Sequence, residues 1–165
     1  MIMVHPHRFV FRHVGASISK VTVCVSLYNY RAYIVEALQS VYAQTGSVLD
    51  LVVVEDCSTD DSLAVAEEWM RSHQSRFNSI SLVQHSHNRG LSAARNTAIS
   101  VSNTPYIFVL DADNMLYPRC VERCIAALEA DAQAAVAYPI IEKFGETAEL
   151  IGNVVWNRER FKRVN

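Results

Sequence analysis

Short apolar runs alternate along this chain with segments of helical periodicity, and this alternation constrains the fold more than any other feature of the sequence. The apolar runs cover residues 21–26, 51–54, 80–83 and 106–110. Runs of this length that are rich in β-branched and aromatic residues are typical of strands buried on both faces. Because helical segments separate them, such strands connect by parallel βαβ crossovers. We therefore predict an α/β fold with an open, mostly parallel sheet and helices on both of its faces.

The segments between the runs predict the helices. Apolar residues recur at helical spacing over 34–42 and 63–70, an alanine-rich stretch covers 91–101, and Pro118 opens a further helix at a favoured early position. A short strand is predicted over 135–138, and the periodicity weakens after it.

The totals limit the class of protein. At 165 residues the chain suits one domain with a real core, and its formal net charge of −2 gives no broad basic field for nucleic acid. No apolar run approaches the roughly 18 residues that span a bilayer. Residues 1–20 contain no acidic residue and no regular pattern, so they indicate an arm or linker and not a signal peptide. We expect a cytoplasmic protein, or one peripheral at the cytoplasmic face of the membrane.

Two carboxylates follow the last of the four buried runs. Asp111 and Asp113 stand on either side of Ala112, at the end of a predicted strand where open α/β sheets bind their ligands. Two hard oxygen donors on one short segment suit Mg²⁺ or Mn²⁺, above all an ion that substrate phosphates also hold. Asp111 and Asp113 are two residues apart and would share a face of an ideal strand, and we expect the backbone to turn at Ala112.

Several familiar motifs are missing from the sequence. No Gly-x-Gly-x-x-Gly follows the first strand, no Gly-Lys-Ser/Thr of the Walker type occurs, and no Gly-x-Ser-x-Gly elbow is present. A dinucleotide dehydrogenase, a P-loop ATPase and a hydrolase with a catalytic triad are therefore unsupported. His85 and His87 lack a third donor at metal-ligand spacing and are interpreted as turn residues.

Four motifs together carry a family resemblance. They cover residues 23–29 (VCVSLYN), 53–60 (VVEDCSTD), 88–96 (NRGLSAARN) and 110–114 (LDADN). In this order and spacing they resemble the inverting family 2 glycosyltransferases of the GT-A fold. The resemblance implies a nucleotide-sugar donor, usually a UDP-sugar, a divalent cation, and transfer to a saccharide, lipid or other hydroxyl acceptor.

The resemblance also implies roles for individual residues. The nucleobase and ribose would lie against the first motif, and Asp56 would accept a hydrogen bond from the uracil ring with Glu55 close by. Arg95 would approach the base or the diphosphate. Asp113 would bind the metal, while Asp111 would contact the ribose or a metal-bound water. The full predicted nucleotide-sugar site is Ser26, Leu27, Tyr28, Asn29, Glu55, Asp56, Arg95, Asp111, Ala112 and Asp113.

The sequence departs from the family pattern at three positions of the first two motifs. Ser26 stands in place of a usual proline, Glu55 in place of a frequent aspartate, and Cys57 in place of a usual glycine. Glycine at that point permits backbone dihedrals that cysteine disfavours. Glu55 reaches further than aspartate does and could alter the contacts to the base.

The general base of the transfer has no motif in this sequence. The resemblance implies domains over 1–20 (arm), 21–140 (donor-binding domain) and 141–165 (start of an acceptor-side segment), with the base expected beyond Asn165. Four downstream carboxylates are also available: Glu142, Glu146, Glu149 and Glu159. We accordingly expect the chain on its own to bind donor without transferring sugar, because a general base contributes about 10²–10⁴-fold.

Two alternatives from other classes stay open. The chain could be a non-catalytic module that binds a nucleotide-sugar or a partner protein. It could also be a nucleotidyltransferase, which uses an open sheet and carboxylate-held Mg²⁺. That class usually carries a glycine-rich loop with a basic residue after the first strand, and residues 26–31 contain no glycine.

Overall fold

A computed structural model describes residues 6–46, 48–145 and 148–151. The elements follow in this order: β1 (His7–Val14), β2 (Val21–Leu27), α1 (Ile34–Tyr42), β3 (Leu49–Glu55), α2 (Ser62–Ser72), a 3₁₀ turn (Gln74–Arg76), β4 (Ser79–His85), α3 (Leu91–Val101), β5 (Tyr106–Asp111), α4 (Cys120–Ala130), β6 (Ile141–Lys143) and β7 (Glu149–Ile151). The predicted strands at 21–26, 51–54, 80–83 and 106–110 are all confirmed.

Over the described residues, five strands form one sheet in the order β1-β4-β3-β2-β5. The four strands β2 to β5 pair in parallel, and β1 pairs with β4 in the antiparallel sense. Parallel neighbours joined through helices are the βαβ arrangement that the sequence predicted. The α/β prediction of an open, mostly parallel sheet is therefore confirmed.

The arm or linker predicted over residues 1–20 is wrong for its central part. His7–Val14 is strand β1 at the edge of the sheet, with its register shifted between Phe9 and Phe11. Residues Val10 and Phe11 are half-buried, and the Arg71 guanidinium of α2 lies 4.6 Å from the centre of the Phe11 ring. The strand was missed because tertiary pairing to β4 decides it, whereas its own charge pattern suggested a solvated arm.

Helices cover the two faces of the sheet. On one face α3 packs into a buried cluster of Cys24, Val52, Val54, Val83, Ala94 and Ala98. Strand side chains alternate between faces, so Val23, Val25, Leu51 and Val53, which are fully buried, point to the other face. Helices α1 and α2, which contact each other, cover that second face. None of the helices within the described ranges is both long and apolar enough to cross a membrane.

The chain divides into two compact units, Met1–Arg123 and Cys124–Asn165. The first contains the five-stranded sheet. In the second, β6 and β7 form an antiparallel pair, with Lys143 Nζ donating to a Glu149 carboxylate at 2.9 Å. The strand predicted over 135–138 is wrong, because that segment has no regular structure and the pairing residues begin at Ile141.

Candidate functional site

Polar residues line the edge of the sheet at which its parallel strands end. The pairing places Ser26 of β2 beside Asp111 of β5, and Leu27 of β2 beside Glu55 of β3. Glu55 in turn lies beside Gln84 of β4. Residues from four adjacent strands thus meet at one edge, which is where open α/β sheets bind ligands.

The backbone turns directly after β5, as the sequence predicted. Ala112 and Asp113 form a turn closed by a hydrogen bond from Asn114 N–H to the Asp111 carbonyl oxygen at 3.0 Å. Ala112 is buried and both aspartates are half-buried. The turn therefore anchors its middle residue in the protein and leaves two carboxylates accessible beside each other.

Each of these carboxylates has a protein partner. Arg95 Nη2 of α3 donates to Asp111 Oδ1 at 2.7 Å, and the two side chains are a little over one-third exposed. The negative charge of Asp113, and a hydrogen bond to it, raise the pKa of the Tyr30 phenol above its ordinary value. Tyr30 also lines an open groove of about 570 Å³ between the loops that follow β2 and β3. Neither Asp111 nor Asp113 lines this groove, but both are half-buried and so remain accessible to solvent.

A divalent cation fits this donor set only with outside ligands. Among the described residues, no group of three or more histidine, cysteine, aspartate or glutamate side chains could hold a metal ion. Mg²⁺ and Mn²⁺ are commonly held by one or two carboxylates together with substrate phosphates and water. Asp111 and Asp113 satisfy that requirement if a diphosphate supplies the remaining oxygens.

Asp56 follows β3 and is buried at 2% exposure. Its Oδ1 accepts from Arg89 N–H at 2.9 Å and lies 2.6 Å from Nδ1 of His85, while its Oδ2 accepts from Gly90 N–H at 2.7 Å. A carboxylate bonded in this way fixes the loop that precedes α3. The contacts favour a role in holding this loop, and the predicted hydrogen bond to a base stays a prediction.

The sequence suggested that His85 lies in a turn, but in the structure it is the last residue of strand β4. Its ring is buried between the Asp56 carboxylate and Thr97 of α3, with Nε2 at 2.9 Å from the Thr97 hydroxyl oxygen. An ionised carboxylate only accepts hydrogen bonds, so Nδ1 carries a proton and donates to Asp56. The histidine therefore links the end of β3 to the helix that carries Arg95.

The loops after β2 and β3 bind each other through their polar side chains. Asn29 N–H donates to the Ser58 hydroxyl at 3.0 Å, and the Asn29 side-chain oxygen accepts from Thr59 N–H at 2.8 Å. Tyr30 N–H donates to the Ser62 hydroxyl at 3.0 Å. Of the first predicted motif, Ser26 and Leu27 are thus buried in β2, while Tyr28 remains 41% exposed beside the loop.

Cys57 adopts a backbone conformation that cysteine disfavours, as its replacement of the family's usual glycine predicted. Its φ is +62°, in the left-handed region, where a side chain with a Cβ atom is strained. The glycine that usually stands here in the resembled family would avoid this strain.

We expect Cys57→Gly to raise the free energy of unfolding by about 0.5–1 kcal/mol, because relief of the left-handed strain exceeds the added entropy of the unfolded chain. Urea denaturation measures the change. Cys57→Ala is the matched control, since it removes the thiol but keeps a Cβ at the same φ. An equal gain from alanine would show that the side chain, and not the dihedral, causes the strain.

The downstream carboxylates lie in the second unit or outside the described residues. Glu142 belongs to β6 and Glu149 to β7. Glu146 and Glu159 fall outside the described ranges, as does the end of the chain, residues 152–165. The position of the general base stays a prediction.

Sequence reasoning missed three polar residues at this edge: Arg8, Gln84 and Tyr30. The two valines and two phenylalanines of 7–14 are good strand formers and could have indicated β1, and hence Arg8. Gln84 follows a predicted strand without a motif. Nothing in the sequence pointed to Tyr30, because its neighbour Asp113 comes from another strand end.

Comparison with known proteins relates this chain to a glycosyltransferase family and to proteins of polysaccharide synthesis. The family model described as glycosyl transferase family 2 matches residues 22–164. The chondroitin synthase of Escherichia coli is 31% identical over 144 residues, which cover 85% of this chain and 20% of that protein. The succinoglycan biosynthesis protein ExoU of Rhizobium meliloti (strain 1021) is 34% identical over 149 residues, which cover 83% of this chain and 42% of that protein.

Solved structures with the same fold carry nucleotide-sugars. Mannosyltransferase PcManGT from Pyrobaculum calidifontis, in complex with GDP-Man and Mn²⁺, aligns over 75% of this chain and 34% of its own at a TM-score of 0.63 and 28% identity. S. aureus TarS 1-349 in complex with UDP-GlcNAc aligns over 67% of this chain and 31% of its own at a TM-score of 0.60 and 27% identity. The chain spans less than half the length of each of these relatives and structures.

Proposed function

Because the chain belongs to glycosyl transferase family 2, we propose that its strand-end site binds a nucleotide-sugar, specifically a UDP-sugar, together with a divalent cation. The chain would serve as the donor-binding part of an inverting transfer to a saccharide, lipid or other hydroxyl acceptor. This proposal goes beyond family membership in naming the donor, the metal and the stereochemical course.

One observation carries the proposal. The turn after β5 carries Asp111 and Asp113 at the edge of the sheet where Ser26 and Glu55 also lie, near the ends of β2 and β3. A diphosphate brings negative charge to such a pair, and two carboxylates repel it unless a cation lies between them. The relative solved with GDP-Man and Mn²⁺ supports this combination of ligands.

The described residues suit the leaving group of a glycosyl transfer. The metal, when bound by Asp111 and Asp113, would stabilise the charge that develops on the nucleoside diphosphate. Arg95 is a permanently charged donor at the same place, and its Nε is buried without a hydrogen-bond partner in the described part of the chain. The side chain is 37% exposed, so the accessible part of its guanidinium can contact a diphosphate while Nη2 stays bonded to Asp111. The charge of Asp113 raises the pKa of the Tyr30 phenol, so this hydroxyl stays protonated beside the carboxylate.

Calorimetric titration with UDP tests the proposal. We expect the affinity for UDP in Mn²⁺ to exceed that in EDTA by at least about tenfold, because the carboxylates and the diphosphate repel each other without the cation. A UDP-sugar should bind under the same conditions. No binding of UDP or a UDP-sugar in Mn²⁺ would contradict the donor assignment, and equal affinity in Mn²⁺ and EDTA would contradict the metal bridge alone.

A further inference from the structure

Strand β1 brings an arginine to the candidate site from outside the segment that matches the family. The family match begins at residue 22, whereas β1 is His7–Val14. Because β1 runs antiparallel to β4, its beginning lies where the parallel strands end. Arg8 is thereby paired with Gln84, one strand away from Glu55.

The three side chains form a continuous hydrogen-bonded row. Arg8 donates to Gln84 Oε1 from Nε at 3.0 Å and from Nη2 at 2.6 Å. Gln84 Nε2 donates to Glu55 Oε2 at 2.9 Å, and the other oxygen of Glu55 accepts from Ser58 N–H. Glu55 is fully buried, Gln84 is half-buried and Arg8 is exposed.

The chemistry of the two neighbours fixes the orientation of the Gln84 amide. A guanidinium offers only donors, so the amide atom that faces Arg8 must be the oxygen. A carboxylate offers only acceptors, so the amide atom that faces Glu55 must be the nitrogen. With its oxygen engaged by Arg8 and one of its two amide hydrogens by Glu55, Gln84 has one remaining polar hydrogen to offer to a ligand.

We propose that Gln84 selects the nucleobase through this amide hydrogen and that Arg8 is the positioning residue that keeps the amide from rotating. This inference rests on the proposed nucleotide site. A donor at this position fits a keto oxygen, such as O4 of uracil, and opposes the exocyclic amino group that cytosine carries at the same ring position. The selected ligand class is a nucleotide whose base presents a keto edge.

Without Arg8, the Gln84 amide oxygen loses its two hydrogen bonds from the guanidinium, and these bonds favour one of the two amide orientations over the other. Gln84 can then rotate its oxygen towards the ligand and accept from an amino group. The buried charge of Glu55 still favours the original orientation, so the loss of selectivity is partial. Truncating Gln84 removes the selecting group altogether.

Paired titrations with UDP and CDP in Mn²⁺ test this assignment, because uracil carries a keto oxygen at the ring position where cytosine carries an amino group. The parent should bind UDP about tenfold more tightly than CDP, the fold-change expected for one neutral hydrogen bond. Arg8→Ala should lower this ratio at least threefold, to a value of about three or less, and Gln84→Ala should bring it to about one. Arg8→Lys retains a donor for the amide oxygen and should restore most of the ratio.

Arg12→Ala is the matched control. Arg12 lies on the same strand and its guanidinium stands 4.9 Å from the centre of the Phe9 ring. Replacing Arg12 removes one positive charge, as Arg8→Ala does, but leaves the hydrogen bonds of the Gln84 amide in place. The ratio of UDP to CDP affinity should therefore stay at the parent value. Thermal unfolding of both arginine variants shows whether each is folded, and the Gln84→Ala titration provides a second test if Arg8→Ala unfolds.

The outcomes separate this inference from the proposed function. A parent that binds UDP and CDP equally, or an Arg8→Ala variant that keeps the parent ratio, would overturn the inference and leave the nucleotide site standing. An equal fall in the ratio for Arg12→Ala would also overturn it, since general charge would then explain the selectivity. A parent that binds no nucleotide would refute the proposed function and this inference with it.

Discussion

Replacing Asp56 with alanine is expected to lower the free energy of unfolding by about 3–5 kcal/mol, the scale for breaking a buried charged hydrogen-bond network. The buried carboxylate accepts from the buried His85 ring and from the N–H groups of Arg89 and Gly90, which belong to an exposed loop. Alanine leaves the His85 donor without an acceptor, which costs about 1–3 kcal/mol, and removes two further hydrogen bonds to a charged group, each worth about 1.5–3 kcal/mol. Urea denaturation, followed by circular dichroism, measures the loss.

Asp50→Ala is the matched control for this prediction. Asp50 also lies on β3, and its Oδ1 accepts from Asn78 Nδ2 at 3.0 Å and from Ser79 N–H at 3.1 Å, but it is only half-buried. Its replacement should cost about 1–2 kcal/mol, because water can reach the groups left behind. If Asp56→Ala unfolds at the same urea concentration as the parent but binds UDP more weakly, Asp56 reads the base and does not hold the loop.

The second large effect is expected from Asp113→Asn. This change keeps the shape of the side chain and removes one of the two charges proposed to hold the cation. We expect the affinity for UDP in Mn²⁺ to fall about 10–100-fold, towards the affinity in EDTA and not below it, since even the partners of metal ligands are worth 10–100-fold. The affinity in EDTA should stay the same or rise, because one charge that repels the diphosphate is gone. The free energy of unfolding should also stay near the parent value, because Asp113 is half-buried in a turn.

Glu67→Gln controls for the loss of one negative charge. Glu67 lies on α2 and pairs with Arg71 at 2.7 Å, away from the strand ends. It should leave the dependence of UDP affinity on Mn²⁺ unaltered. If Asp113→Asn retains the full effect of Mn²⁺, the cation is bound elsewhere and Asp111 is the first residue to test.

The sequence predicted the central sheet well, for a local reason. Strands 21–26, 51–54 and 80–83 are buried on both faces, so each one appears as a continuous apolar run. The run at 106–110 was predicted as a buried strand too, but β5 lies at the edge of the sheet and is mostly half-buried, with Val109 41% exposed. Polar residues can follow such a run only where the strand ends, and parallel strands all end at the same edge. The turn at Ala112 was likewise predicted, at the point where the apolar run gives way to polar residues.

The edge strand and the interior polar network were not predictable in the same way. Strand β1 is held by backbone pairing to β4, which is 65 or more residues away in the sequence and leaves no periodic signal of its own in a charged segment. The fate of a polar side chain depends on which groups the fold brings to it. His85 appeared to be a turn residue because neither Asp56 nor Thr97 is near it in sequence.

The sequence by itself thus determined the α/β class, the succession of strands and helices along the chain, the family motifs and the presence of two carboxylates after the last strand, because each of these follows from local pattern. Only the tertiary structure decided that Asp56 is buried against the loop before α3, and that Gln84 links Arg8 to Glu55 across three strands. Hydrogen bonds between side chains depend on distances of about 3 Å. Pairing of distant strands sets those distances, and no local pattern records them.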